Sequence, residues 1–174
     1  MAKQQLVLAL FEDEAKADVA AEGIQHWGER TKRAKFSAVG VIVKDEKGKI
    51  KTHKLGHSGA AEGAVLFGLA AFLTGGLAIG LGLIGGSLAG AGLGSLFHKG
   101  LKISKEEKER LNTELDNGKA ALGVMVKKGD ASEVAAELVA LGGQSETYEV
   151  SEEAIKEAQS VVESAAEEPA EDAS

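Results

Sequence analysis

Few residues of this 174-residue chain have the type and spacing that chemistry needs. His53 and His57 stand four apart, which on a helix would let two imidazoles share a metal. That stretch reads instead as a strand end running into a Gly-rich loop, and Glu62 is the nearest third ligand, so no metal site is assigned. Gly80-x-Gly82-x-x-Gly85 spells the dinucleotide fingerprint, but it follows no strand and has no acidic partner about 20 residues on. Ser58, Ser87 and Ser95 lack the flanking base that activates a hydroxyl nucleophile. His26 beside Trp27 reads as helix surface next to core. Glu62 suits the first turn of an apolar helix, where a carboxylate meets the positive end of the dipole. The chain has no cysteine, which excludes disulfides, thiolate metal ligands and a cysteine nucleophile. The sequence predicts no catalytic residue, no cofactor and no metal, and hence no enzyme.

The strongest pattern belongs to packing. From Gly63 to Phe97 there is no charged residue, and small residues recur at every fourth position: Ala70, Thr74, Ala78, Gly82, Gly86, Gly90 and Gly94. On a helix these positions stack nearly one above another and form a groove free of large side chains. Such a groove lets helix backbones approach closely, the mode by which helices associate in lipid. A flexible linker would carry Ser, Thr and Asn rather than Leu and Ile, and has no reason to keep a four-residue register. A helix buried in a soluble protein assembly remains the alternative.

Charge is unevenly spread around this segment, although the net value is -7. Arg30 to Lys54 carries Lys or Arg at 30, 32, 33, 35, 44, 47, 49, 51 and 54, against Asp45 and Glu46 only. From Gln144 to Ser174 the balance is strongly acidic, with Lys156 the single base. A basic stretch touching an apolar one suits anionic headgroups better than nucleic acid, which would want aromatics or a recognition helix. Lys51, Lys54, His98, Lys99 and Lys102 are the expected headgroup-facing residues, while Lys47 and Lys49 beside Gly48 read as a solvated turn. The apolar run after Met1 is short and is followed at once by Glu12, Asp13 and Glu14, so no signal peptide is expected.

Around the apolar segment the chain alternates between strand and helix patterns. Gln5 to Phe11 is a β-type run, and Asp13 to Glu29 is helical, with Ala17, Ala20, Ala21, Ile24 and Trp27 as its apolar stripe. Phe36 to Val43 and Lys49 to Lys54 form a hairpin across the turn Asp45-Glu46-Lys47-Gly48. Ser104, with Glu106 and Glu107, caps a polar helix that Asn117-Gly118 stops. Ala120 to Val126 is a strand, Ser132 to Leu141 a helix stopped by Gly142-Gly143, and Glu146 to Val150 a strand. Ser151 opens a last helix leading into an acidic tail. An ungapped shift of 115 residues lays Leu6–Phe11 on Ala121–Val126 and Val19-Ala20-Ala21-Glu22 on Val134-Ala135-Ala136-Glu137. A strand–helix unit repeated in this way predicts an α+β fold, a ferredoxin-like βαββαβ sandwich interrupted by a Gly-zipper helical hairpin and carrying extra helices. The expected divisions are 1–55 and 101–150 for the two halves of that domain, 56–100 for the hairpin and 151–174 for the acidic helix and tail.

Two halves that meet in one sheet require both ends of the insert to return to the same side of any bilayer. Lys44, Lys47, Lys49, Lys51 and Lys54 precede it, and Lys99, Lys102, Lys105, Lys108 and Arg110 follow it, which places both ends in the cytoplasm. Thr74-Gly75-Gly76 is the natural bend. The two arms fall near or below the ~20 residues of a full span, so a re-entrant or tilted hairpin competes with two true crossings.

The leading Leu6-Val7-Leu8-Ala9-Leu10-Phe11 strand, the Val41–Ile50 hairpin, the insert opened by Gly59-Ala60-Ala61-Glu62-Gly63 and the Leu122–Val126 strand together resemble the domain-of-unknown-function 1269 family. The resemblance covers nearly the whole chain and rests on pattern. It implies a bacterial or archaeal membrane-associated protein of unestablished function, and it carries over no catalytic residue.

Three classes of function follow. The first is a structural protein at the inner membrane whose partners are lipid and further copies of itself. A cytoplasmic homo-oligomer that buries its apolar inserts is a variant of the first. The second is a small-ligand-binding or regulatory module, although no small-molecule substrate is identified. The third, an enzyme, has no site to support it.

Overall fold

The computed structural model describes residues 3–48, 50–54, 103–153 and 155–156. The expected apolar hairpin, 56–100, and the tail beyond residue 156 lie outside them. The described elements are β1 (Gln4–Phe11), α1 (Glu14–Thr31), β2 (Phe36–Lys44), β3 (Ile50–Lys54), α2 (Lys105–Asp116), β4 (Ala120–Lys127), α3 (Ala131–Ala140) and β5 (Gln144–Val150). After β5, residues 152, 153, 155 and 156 are helical, and the Ile155 N–H donates to the Ser151 carbonyl at 3.2 Å.

Local chemistry sets the helix limits. The Asp13 side chain accepts the Lys16 N–H at 2.7 Å and starts α1. Lys32, in the left-handed region at φ 54, ends it by donating its N–H to the Gly28 carbonyl. Ser104 and Glu107 form a reciprocal capping box at the start of α2, at 3.2 and 2.9 Å. Gly142, at φ 101, turns the chain out of α3 in a conformation that other residues adopt only with strain.

The strands form one sheet in the order β3-β2-β4-β1-β5, with every neighbouring pair antiparallel. β1 and β2 therefore run the same way with β4 between them, and β4 and β5 run the same way with β1 between them. Two β-α-β units are interleaved in a single α+β sheet. The expected β2–β3 hairpin and the Ser104 cap are found, while β5 begins at Gln144 rather than Glu146 and α3 runs Ala131–Ala140 rather than Ser132 to Leu141.

Alternation divides the strands between two faces. Val7, Ala9, Phe11, Val39, Val41, Val43, Ala120, Leu122, Val124 and Val126 meet Ala17, Ala20, Ala21 and Ile24 of α1 and Ala131, Val134 and Leu138 of α3 in one buried cluster. Small residues on α1 let it lie close to the sheet, and Val is the shape that a pleated surface packs best. On the opposite face Leu6, Leu8, Ala38, Ile42, Ala121 and Met125 are also buried. There α2 meets β2 and β4, burying Leu111 and Leu115 after the buried Ile103.

The internal repeat holds with a phase correction. The 115-residue shift carries the helix-facing Val7, Ala9 and Phe11 onto the helix-facing Leu122, Val124 and Val126. In the helices, however, buried Ala17, Ala20 and Ile24 correspond to buried Ala131, Val134 and Leu138, a shift one residue smaller. The identity of Val19 with Val134 is therefore a coincidence of spelling. Val19 is 69% exposed on α1, whereas Val134 is fully buried.

Candidate functional site

Of the residues singled out for packing and headgroup contact, Ala70, Thr74, Ala78, Gly82, Gly86, Gly90, Gly94, His98, Lys99 and Lys102 lie outside the described residues. Lys51 and Lys54 lie on β3, in register with Val43 and Gly40 of β2. The two positions are three apart along a strand and so belong to opposite faces of the sheet. His53 stands in register with Val41, while His57 and Glu62 lie outside the described residues. His26 is exposed on α1, 3.9 Å from the Glu29 carboxylate, and Trp27 is partly buried against the core. Among the described residues no group of three or more His, Asp and Glu is placed to hold a metal ion.

The structure instead assembles a polar cluster that no sequence motif announced. Arg110, on α2, pairs through Nη2 with Oε2 of Glu146 on β5. The same oxygen accepts the Tyr148 hydroxyl at 2.7 Å. Alternation explains the second contact: Glu146 and Tyr148 are two apart on one strand and share a face. The first contact joins residues far apart in sequence, because α2 crosses the sheet. Its C-terminal Asp116 pairs with Lys44 at the end of β2, while Arg110 reaches β5 at the other side of the sheet.

The cluster shifts its members in consistent directions. The Arg110 guanidinium holds the Glu146 carboxyl below the ordinary glutamate range, against the opposing pull of partial burial and with help from the Tyr148 hydrogen bond. Burial raises the Tyr148 phenol well above its usual value, and donation to the Glu146 carboxylate adds to that. The carboxylate thus stays ionised and the phenol stays protonated, each satisfying the other. One carboxylate oxygen is shared by two donors, and the Glu107 carboxylate on α2 lies near enough to act on both Arg110 and Tyr148. The arrangement is a clasp that joins α2 to the sheet. The one signal for it in the sequence was the chain's single tyrosine two residues from a glutamate in an alternating strand.

Compared with protein-family models, with curated proteins and with solved structures, the chain matches none.

Proposed function

We propose that this chain is a non-enzymatic scaffold that associates with a membrane and with copies of itself through its apolar segment. The folded part is read as a ferredoxin-like sandwich that displays that segment. The carrying observation joins sequence and fold. β3 ends at Lys54 as one edge of the sheet, and α2, capped at Ser104, lies on the same sheet. The intervening chain has no charge from Gly63 to Phe97 and is flanked on both sides by lysines. A chain that leaves one small domain and returns to it must have both ends on one side of a bilayer. Bases at both ends with none between suit a cytoplasmic placement of the domain. Among the described residues no helix is long and apolar enough to cross a membrane, so lipid contact is assigned to the insert alone. The resemblance to the domain-of-unknown-function 1269 family supports the same reading.

Cysteines introduced singly at Lys51 and Lys102 test it, since the chain has no native thiol. Both are expected to react with a membrane-impermeant reagent only after cells are opened, in protein recovered from the membrane fraction with detergent. Opposite accessibility would overturn the hairpin, and recovery as a large detergent-independent particle would favour a soluble assembly. Gly86→Leu with Gly90→Leu is expected to reduce the particle mass in mild detergent, because bulk in the groove separates the backbones.

A further inference from the structure

The two edges of the sheet are built differently. At one edge, β3 is five residues long and carries Lys51 and Lys54, and its neighbour β2 is interrupted by a register shift between Phe36 and Ala38. Lysines, shortness and bulges are the usual means of keeping an edge from pairing with another chain. At the other edge, β5 reads Gln-Ser-Glu-Thr-Tyr-Glu-Val, with no lysine, proline or glycine. Its register with β1 is unbroken from Gln4↔Val150 to Leu10↔Gln144. Among the described residues no strand pairs with its outer side.

We propose that the outer edge of β5 is a docking surface for the β5 of a second copy, in an antiparallel pairing centred on Thr147. The pattern of charges selects the register, and a second β5 is the occupant because one register sets all seven residues of this edge against its own copy with no acids opposed. A two-fold axis normal to the sheet pairs residues of like face, so the centre must fall on a residue. Centring on Glu146 or Glu149 sets a glutamate against its own copy, which is destabilising for like charges directly opposite. Centring on Ser145 or Tyr148 shortens the overlap. Centring on Thr147 uses all seven residues, sets Glu146 opposite Tyr148 and Glu149 opposite Ser145, and opposes no acids. It joins the two sheets into one, keeps α2 of both copies on the same side, and leaves the lysine-bearing β3 edges outermost. This contact extends the self-association proposed above to a second surface, and it rests on that reading only in supposing that copies meet.

The test uses the full chain in mild detergent. Antiparallel partners have Cα atoms about 4.5–5.5 Å apart, inside the range for a disulfide. Thr147→Cys, an exposed position, is therefore expected to cross-link to itself under gentle oxidation. Glu149→Cys is not, because four residues of offset separate its copies by roughly 13 Å. Val139→Cys, exposed on α3, serves as the collisional control. Thr147→Lys is expected to weaken association through this edge roughly fivefold with an unchanged circular dichroism spectrum. Mixing it with Thr147→Glu is expected to restore pairing as a heterodimer. Cross-linking of Thr147→Cys no faster than that of Val139→Cys would overturn the proposal, as would association indifferent to lysine at 147. Repeating the Thr147→Cys reaction in the Gly86→Leu/Gly90→Leu background separates the two contacts. A cross-link that survives there stands whatever becomes of the groove, and a particle that shrinks there without a cross-link at 147 leaves the groove as the contact that holds.

Discussion

The two faces of the sheet are closed by different physics. Against α1 and α3 the contact is mainly apolar, with Ala, Val, Ile and Leu interdigitating in one cluster and the Ser145 hydroxyl donating to the Ala135 carbonyl at 3.2 Å. Against α2, a mostly polar helix, only Leu111 and Leu115 are buried, and orientation comes from Lys44–Asp116 and Arg110–Glu146 with Tyr148. Apolar burial is strong but indifferent to direction, whereas a shared carboxylate is weak but specifies where a helix crosses. Both faces supply stability, since Leu6, Leu8, Ile42, Ile103, Leu111 and Leu115 are fully buried on the α2 side as Ile24 and Leu122 are on the other. The second also fixes the geometry of the helix that follows the apolar segment.

If that contrast is right, substitutions on the two faces separate in size and in their response to solution conditions. Ile24→Ala, emptying a fully buried position on α1, is expected to cost about 2–5 kcal/mol in denaturant unfolding, insensitive to salt. Gly143→Ala comes next. Its new Cβ would stand 2.7 Å from Phe11 Cζ and 3.1 Å from both Ala9 Cβ and the Leu138 carbonyl oxygen, two of them parts that cannot swing aside. A loss of about 1–3 kcal/mol is expected from this overpacking.

Arg110→Met should cost less than either. The pair is more than a third exposed on both sides, so a loss of about 1 kcal/mol or less is expected, fading at high salt. A loss as large as that of Ile24→Ala, or one that salt does not touch, would break the comparison.

The smallest effects are the pH dependences. Glu146 has a lowered value in the fold, so its contribution is complete above the ordinary glutamate value of 4.5 and is lost as pH falls below that through the lower folded value. Tyr148 has a raised value, so its contribution is complete below the ordinary 10.0 and is lost as pH rises toward the higher folded value. Glu146→Gln should flatten the acid limb of stability against pH, and Tyr148→Phe the alkaline one. Equal slopes in variant and parent would show that the clasp is not closed in solution.

What the sequence disclosed follows the same division. Period-two and period-3.6 patterns depend on neighbours, so the strand from Phe36 to Val43, the hairpin turn and the Ser104 cap were legible directly. The shift of 115 brought β1 and β4 into correspondence, because Val and Leu alternate in both. It misplaced the helix phase, because Ala occurs on both the buried and half-buried sides of these helices and cannot report which way a helix faces. Arg110 with Glu146 was not legible at all. A surface arginine and a surface glutamate look alike wherever they stand, and only the path of α2 across the sheet brings them together. The contact of Gly143 with Phe11 was hidden likewise, since Gly142-Gly143 read only as a stop signal. The candidate residues drawn from the apolar segment remain those of the proposal, and β3 adds that Lys51 and Lys54 sit on opposite faces.

The strand order also sets a timetable for synthesis. β1 is made first, yet both of its neighbours, β4 and β5, follow the apolar segment in the chain. The β2–β3 hairpin can zip by itself, but within the sheet it joins β1 only through β4. At translation rates of about 5–20 residues per second, some 3–10 s pass between the appearance of Phe97 and that of Val150. Throughout that interval the apolar segment exists and the domain that will hold its ends does not. Whatever receives the segment, bilayer or another copy, can meet it before β1 has both of its partners.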